Sequence, residues 1–335
     1  MKKIIGFFAM VMLAFATITG LTACGKKDNK DKISIVCLGY AQYDWTMQIL
    51  GEHKDNFEVR YLLDNGIDLH SYSPSPADTV LIKTADLLIY VGGESEEWVD
   101  EVINGTNVNG LSLLECISNP REEEWIVGMQ PEDEDGGDHD DDDENDGNDN
   151  DDDGEEHEGE YDEHIWLSLK NARVLVNEIA TEICKLDSGN SAAYIANANA
   201  YKEQLHTLDE KYKAATDNKT VDTILFADRF PFLYMAKDYR INYYAAFIGC
   251  SAETEATIET IAFLTEKAAD LPVILVLENS NVNIAETVKN GGSQQILTMD
   301  SLQSVSKADM DSGKHYLAIM ESNLGTLKIA LGVAD

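Results

Sequence analysis

From residue 32 onward the chain alternates short apolar, β-branched runs with longer segments whose apolar residues recur every three or four positions. Runs at 33–38, 57–63 and 87–91 read as buried strands, the later two ending on Asp64-Asn65-Gly66 and Gly92-Gly93. Residues 43–50 and 78–84 carry helical spacing between them. The span 165–186 sets Ala172, Leu175, Val176, Ile179, Ala180 and Ile183 on one stripe, and Asp187-Ser188-Gly189-Asn190 breaks it. A second helix, rich in Ala, Tyr and Leu, runs over 191–215 with Ser191 as its cap; at ~1.5 Å per residue it spans almost 40 Å. The alternation then restarts, with strands at 223–227, 243–247, 273–277 and 295–299 and helices at 230–239, 253–267, 282–290 and 316–331. Strand–helix alternation builds a parallel, doubly wound sheet. The pattern therefore predicts an α/β fold of two Rossmann-like lobes, 32–188 and 217–335, joined by one long helix at 189–216. Ligands of such sheets bind outside the carboxyl ends of the strands, which places a site in the cleft between the lobes.

Ahead of this region, Lys2 and Lys3 precede an almost unbroken apolar run at 4–17, too short to span a membrane and flanked as an export signal is. Leu21-Thr22-Ala23-Cys24 follows and resembles a bacterial lipobox, in which the cysteine becomes the lipidated first residue. This gives a signal peptide at 1–23, lipidation at Cys24, a polar tether at 24–31 and an extracytoplasmic chain anchored to the membrane. The other cysteines, Cys37, Cys116, Cys184 and Cys250, are even in number, which permits disulfides in an exported protein. Their wide spacing shows no C-x-x-C pair. Cys37 and Cys184 read as small buried residues.

Charge excludes one class of partner. The 25 Lys and Arg face 62 Asp and Glu, a net −37, which is a poor balance for holding nucleic acid. Residues 131–163 hold 21 of those acids and no Lys or Arg; setting them aside leaves −16 for the remainder. That stretch reads as a disordered, solvated acidic insert, with His139 and His157 able to help it gather divalent cations loosely. Asp151-Asp152-Asp153-Gly154-Glu155 lacks the Gly and Glu spacing of an EF-hand.

Two stretches carry candidate chemistry. His70 lies just past a strand end, in a loop with Tyr72, Pro74, Pro76 and Asp78; His164 stands at the start of a helix, in His164-Ile165-Trp166 with Lys170-Asn171-Ala172. Each alone reads as a surface or capping histidine. Together, with Thr84-Ala85-Asp86-Leu87-Leu88-Ile89-Tyr90, Glu96-Glu97-Trp98-Val99 and the closing 316–324, they resemble the metal-specific solute-binding lipoproteins of ABC transporters, the zinc- and manganese-binding, ZnuA-type group. The resemblance covers about 32–331. It implies His70 and His164 as metal ligands, Asp300 at a strand end as a further ligand, and Zn²⁺, or alternatively Mn²⁺, as the transported ion. It also implies an ABC permease with its ATPase as partners and a monomeric protein that is not an enzyme. One position departs from the family. Arg229 stands where a His or Glu ligand is expected, five residues before Tyr234, and a guanidinium cannot ligate. Either Asp228 substitutes for it, or Arg229 pairs with a carboxylate and the site keeps three protein ligands plus water. Cys250, Glu253 and Glu255 follow a strand end facing the cleft and stand in reserve. Two imidazoles with one or two carboxylates suit zinc and, less well, manganese. Because both rings must be neutral to bind, affinity is expected to fall below about pH 6.

Two other classes compete. A calcium-buffering or adhesion lipoprotein would act through the insert alone, leaving His70 dispensable. A zinc hydrolase would need a base beside the metal, from Glu253, Glu255 or Glu278. The chain has no Walker motif, no G-x-S-x-G and no H-E-x-x-H.

Overall fold

The computed structural model describes residues 32–129, 160–251 and 255–334. The expected leader, Cys24 and the expected tether, with Glu253 and nearly all of the acidic insert, lie outside the described residues.

The first lobe is built from β1 (Ile33–Cys37), α1 (Tyr40–Leu50), β2 (Phe57–Tyr61), α2 (Pro76–Lys83), β3 (Leu87–Tyr90), α3 (Trp98–Ile103), β4 (Asn109–Ser112) and α4 (Leu169–Leu186). The long helix α5 (Ser191–Asp217) follows. The second lobe comprises β5 (Thr223–Phe230), α6 (Leu233–Tyr239), β6 (Asn242–Ile248), α7 (Ile258–Ala268), β7 (Val273–Leu277), α8 (Asn283–Lys289), β8 (Gln295–Met299), α9 (Lys307–Asp311) and α10 (Tyr316–Ala330). Both sheets are parallel. Their orders, β2-β1-β3-β4 and β6-β5-β7-β8, are the same topology twice. Each sheet therefore reverses direction beside its first strand, and the loops leaving the carboxyl ends converge there.

The strands form where expected because fully buried parallel strands need continuous apolar runs: every residue of Leu-Leu-Ile-Tyr in β3 and Val-Ile-Leu-Val-Leu in β7 is buried. β4 escapes the sequence reading because Asn-Gly-Leu-Ser carries no such run and lies at a sheet edge. α2 starts earlier than its apolar spacing suggests, since Ser75 and Asp78 make a reciprocal capping box and Pro76 opens the helix. The boundary after β5 also differs. The strand continues to Phe230, and the helix begins only at Leu233. Pro231 disfavours helical geometry at the residue before it, and the Phe230 ring stacks on Tyr243 with centroids 3.8 Å apart. Asp228 and Arg229 therefore sit on a strand rather than in a turn.

α5 packs against α1 and α4 on one side and against α6 and α10 on the other. Its buried stripe of Tyr194, Ala198, Tyr201, Leu205, Leu208 and Tyr212 recurs at three- and four-residue steps. The tyrosine hydroxyls are satisfied locally or across elements: Tyr201 donates to Asp44 at 3.2 Å, and Tyr212 to the Met320 carbonyl at 2.6 Å. One apolar cluster runs from Ile35 in the first sheet to Leu331 past α10, so both lobes share a core. Among the described residues no helix is long and apolar enough to cross a membrane. Cys37, Cys116, Cys184 and Cys250 are all free thiols.

Candidate metal centre

His70 follows β2, in a short turn at Leu69–Ser71 that Asp68 caps by accepting the His70 backbone N–H at 3.0 Å. His164 is fully buried at the entry to α4, with its backbone N–H donating to Asp162 Oδ1 at 2.7 Å. The two side chains meet: His70 Nε2 lies 3.1 Å from His164 Nε2.

The surrounding hydrogen bonds assign the tautomers. His164 Nδ1 lies 3.0 Å from Asp162 Oδ1; with Asp162 ionised, the Nδ1 proton donates to it and Nε2 exposes its lone pair. That lone pair accepts from the Gln303 amide, 2.9 Å away, and from His70 Nε2. His70 Nδ1 then accepts from Ser95 Oγ at 2.7 Å, with Glu163 Oε2 3.4 Å off. When an ion takes both Nε2 lone pairs, the His70 proton moves to Nδ1, where Glu163 and Ser95 stand ready to accept it. Each histidine therefore has a carboxylate behind it, the arrangement that fixes ring orientation in metal sites.

Buried acids stand behind the two uncharged rings: Asp162 beside His164, Glu163 beside His70, Glu123 near Asp162 and His164, and Glu96 beyond Glu163. Burial pushes the Asp162 and Glu96 carboxyls up to about 8 and Glu163 up to about 6, and it raises Glu123 as well. Asp162 Oδ2 and Glu163 Oε2 are buried without a hydrogen-bond donor. Burial, followed by the neighbouring His164, drives His70 down to about 3, and burial drives His164 down to about 4. Burial therefore favours the neutral form of both imidazoles.

Asp162 and Glu163 are themselves a correction. By composition they belong to the acidic run ending at 163. In the structure Tyr161 bridges to Glu122, the Asp162 N–H donates to the Arg121 carbonyl at 2.8 Å, and both acids are buried. The site needs them inside, and they are held there: Glu163 accepts the Ser95 N–H at 2.7 Å, and the Tyr234 hydroxyl donates to the Asp162 carbonyl at 3.1 Å. A Cβ on Gly93 would lie 2.3 Å from Glu163 Oε1, so any larger residue there would push Glu163 from its place. Their adjacency to His164, rather than their charge, was the available signal.

The structure does not bring Asp228 or Asp300 to the histidines. Asp228 accepts the backbone N–H groups of Arg229 at 2.8 Å and Leu277 at 3.0 Å, serving the junction of β5 and β7. Asp300 Oδ1 accepts the Leu302 N–H at 2.9 Å, and its backbone is clasped on both sides by Asn323. This turn forces Leu302 to φ +61°, a left-handed conformation costly for a bulky residue, and delivers Gln303 to His164. Arg229 donates to Asp68 Oδ2 at 2.8 Å, so the cation at the family's ligand position is neutralised by the same carboxylate that caps the His70 turn. Of the reserves, Cys250 reaches the site. Its Sγ and one ring nitrogen from each of His70 and His164 all lie within 4.8 Å of one another. Among the described residues Glu255 joins no such group.

Beside the histidine turn, a cleft of about 360 Å³ opens between the lobes, lined by Asp68, Arg229, Glu278 and Ser301. The larger 740 Å³ groove lies between α4 and α5, away from this chemistry.

Known proteins share this architecture. The family model described as zinc-uptake complex component A, periplasmic, matches residues 35–330. The high-affinity zinc uptake system protein ZnuA of Bacillus subtilis is 29% identical over 335 residues, covering 98% of both chains. The zinc-binding lipoprotein AdcA of Streptococcus pneumoniae is 27% identical over 331 residues; that match takes in 98% of this chain but only 61% of AdcA. The Zn(II)-bound ZnuA-like domain of that AdcA superposes with a TM-score of 0.68 at 24% identity, over 90% of this chain and 99% of the domain. The chain belongs to the zinc-uptake complex component A family.

Proposed function

We propose that this protein is an extracytoplasmic solute-binding protein that captures Zn²⁺ in the interlobe cleft through His70 and His164 and delivers it to an ABC permease driven by a separate ATPase. One observation carries the reading: two neutral imidazoles whose Nε2 atoms lie 3.1 Å apart, each backed by a buried carboxyl group. The family is one of binding proteins rather than enzymes, and Bacillus subtilis ZnuA bears the name of a zinc uptake component. Imidazole donors favour zinc over manganese, which prefers carboxylates and water. Cys24 is the proposed lipid anchor, in keeping with the lipoprotein name of the streptococcal relative. The cleft geometry suits reversible capture, since α5 holds the two lobes while the strand-end loops meet across the site.

The test is calorimetric. Metal-free protein should bind one equivalent of zinc tightly, and His70→Ala or His164→Ala should each weaken that event by more than tenfold, since each removes a ligand nitrogen. Unchanged affinity in both variants would overturn the assignment. If His70→Ala were silent and removal of residues 132–159 abolished all binding, the protein would act through its acidic segment instead.

A further inference from the structure

We infer that Cys250 is a third protein ligand to the ion, supplied by the lobe opposite the histidines, so that the site presents two imidazoles and one thiolate. The inference rests on the reading that this cleft takes up zinc. It concerns the donor that the second lobe contributes.

The geometry fits a tetrahedral ion. Zn–N bonds of about 2.0–2.1 Å and a Zn–S bond of about 2.3 Å put ligand atoms roughly 3.3–3.6 Å apart. The two Nε2 atoms are already 3.1 Å apart, and Cys250 Sγ lies within 4.8 Å of one ring nitrogen of each histidine, roughly an ångström beyond that spacing at most.

The chain is built to bring the sulfur there. β6 ends at Ile248, and the next residue is Gly249. A Cβ at Gly249 would lie 3.1 Å from two atoms of the His164 ring and 3.0 Å from the Phe230 carbonyl. The backbone therefore runs against the imidazole, which leaves the following side chain facing the histidine pair. The Cys250 N–H is fixed by Glu123 Oε1 at 3.0 Å, a contact from the opposite lobe. The thiol faces the Glu123 carboxyl and the Glu163 backbone N–H; burial and the nearby Glu123, Asp162 and Glu163 hold it protonated until an ion displaces the proton. Asp228 and Asp300, the other donors expected from the second lobe, are committed to backbone groups. The remaining described cysteines bond elsewhere: Cys37 to Thr46, Cys116 to the Ser112 carbonyl and Cys184 to the Ser191 carbonyl.

The chemical consequence is selectivity. The thiol gives up its proton as the Zn–S bond forms, one proton per ion, and Glu123 is positioned to take it. A soft thiolate favours zinc over manganese and calcium, which carboxylates would not do. It also makes uptake sensitive to thiol modification.

Cobalt separates the possibilities. The full-length protein, reduced and stripped of metal, is given one equivalent of Co²⁺. The expected spectrum has the visible bands of a tetrahedral ion and an intense near-ultraviolet thiolate-to-cobalt band. In Cys250→Ser, and in Cys250→Ala should the serine variant misfold, the near-ultraviolet band should vanish while visible bands remain. Zinc affinity should fall by tenfold or more, with manganese affinity little changed. Zinc should also shield Cys250, but not Cys116, from iodoacetamide, which needs no variant at all. A tight site that His70→Ala removes, but that lacks the charge-transfer band and leaves Cys250 unprotected in the wild type, would overturn the thiolate assignment while leaving zinc capture standing. Absence of any tight site for cobalt or zinc in the wild type would instead overturn the underlying reading.

Discussion

Replacing Glu163 by Gln removes one negative charge and almost no volume, which isolates what the carboxylate does for His70. The Ser95 N–H that now donates to Oε1 at 2.7 Å keeps an amide oxygen to bond, so the loop should hold its shape. What changes is the group 3.4 Å from His70 Nδ1. In the metal-bound state that nitrogen must carry the proton, and an amide accepts it less well than a carboxylate. An ion on the far nitrogen of the ring sits about 7 Å from the carboxylate; the bare attraction there, 2 × 332/(20 × 7), is about 5 kcal/mol at an effective dielectric of about 20. Desolvation and partial protonation, with Glu163 titrating at about 6, reduce that ceiling. Carboxylates behind metal-bound histidines are typically worth 10–100-fold in affinity, or about 1.4–2.7 kcal/mol, and Glu163→Gln is expected in that range. The assay is competition for zinc against a chromophoric chelator at pH 7.5, with circular dichroism confirming the fold. Zinc affinity within twofold of wild type would refute the claim that Glu163 supports His70.

Three further outcomes follow from other parts of the structure. Gly249→Ala places a methyl against the His164 ring, an overpacking of about 1–3 kcal/mol, and should weaken zinc binding several-fold with the secondary structure intact; wild-type affinity in titration would show that the ring can move away. Metal-free protein should lose thermal stability as pH rises from 6.5 to 8. Asp162 and Glu96, raised to about 8, contribute stability that is fully present below their unfolded values and lost as pH climbs through the folded ones. His70 and His164, lowered to about 3 and 4, act oppositely, but only below about pH 6.5. The slope should reach about 1.4 kcal/mol per pH unit per carboxyl, and a melting temperature that rises over this window in calorimetry would contradict it. Deleting residues 132–159 should leave the tight zinc event in place and remove only weak, salt-sensitive binding, because the flanks are already joined where the Glu123 N–H donates to the Glu160 carbonyl at 2.7 Å; loss of the tight event would show the segment to be structural.

The amino-acid sequence by itself determined the two-lobed α/β plan, because buried parallel strands and amphipathic helices announce themselves through local periodicity. Val-Ile-Leu-Val-Leu can be little other than a central strand, and the stripe on 169–186 little other than a helix against a core. It also placed His70 and His164 at an element boundary each, and the strain of Arg229 at a ligand position was visible as a charge that would need a partner. Only the tertiary structure decided which partner that was, Asp68 at 2.8 Å from a loop 161 residues away. The same holds for the acids. Asp162 and Glu163 are indistinguishable by composition from the run before them, and their burial comes from contacts with Arg121, Ser95 and Tyr234, all distant in sequence. Asp300 was expected as a ligand from its place in the family's pattern; in the folded chain its Oδ1 accepts the Leu302 N–H, a local hydrogen bond that residue type does not reveal. Cys250 shows the converse: a thiol with no motif around it reaches two imidazoles because β6 ends beside them and Gly249 lets the backbone pass against the ring. Periodicity is a property of neighbours along the chain, whereas a metal site is a property of groups that meet only after the chain has folded.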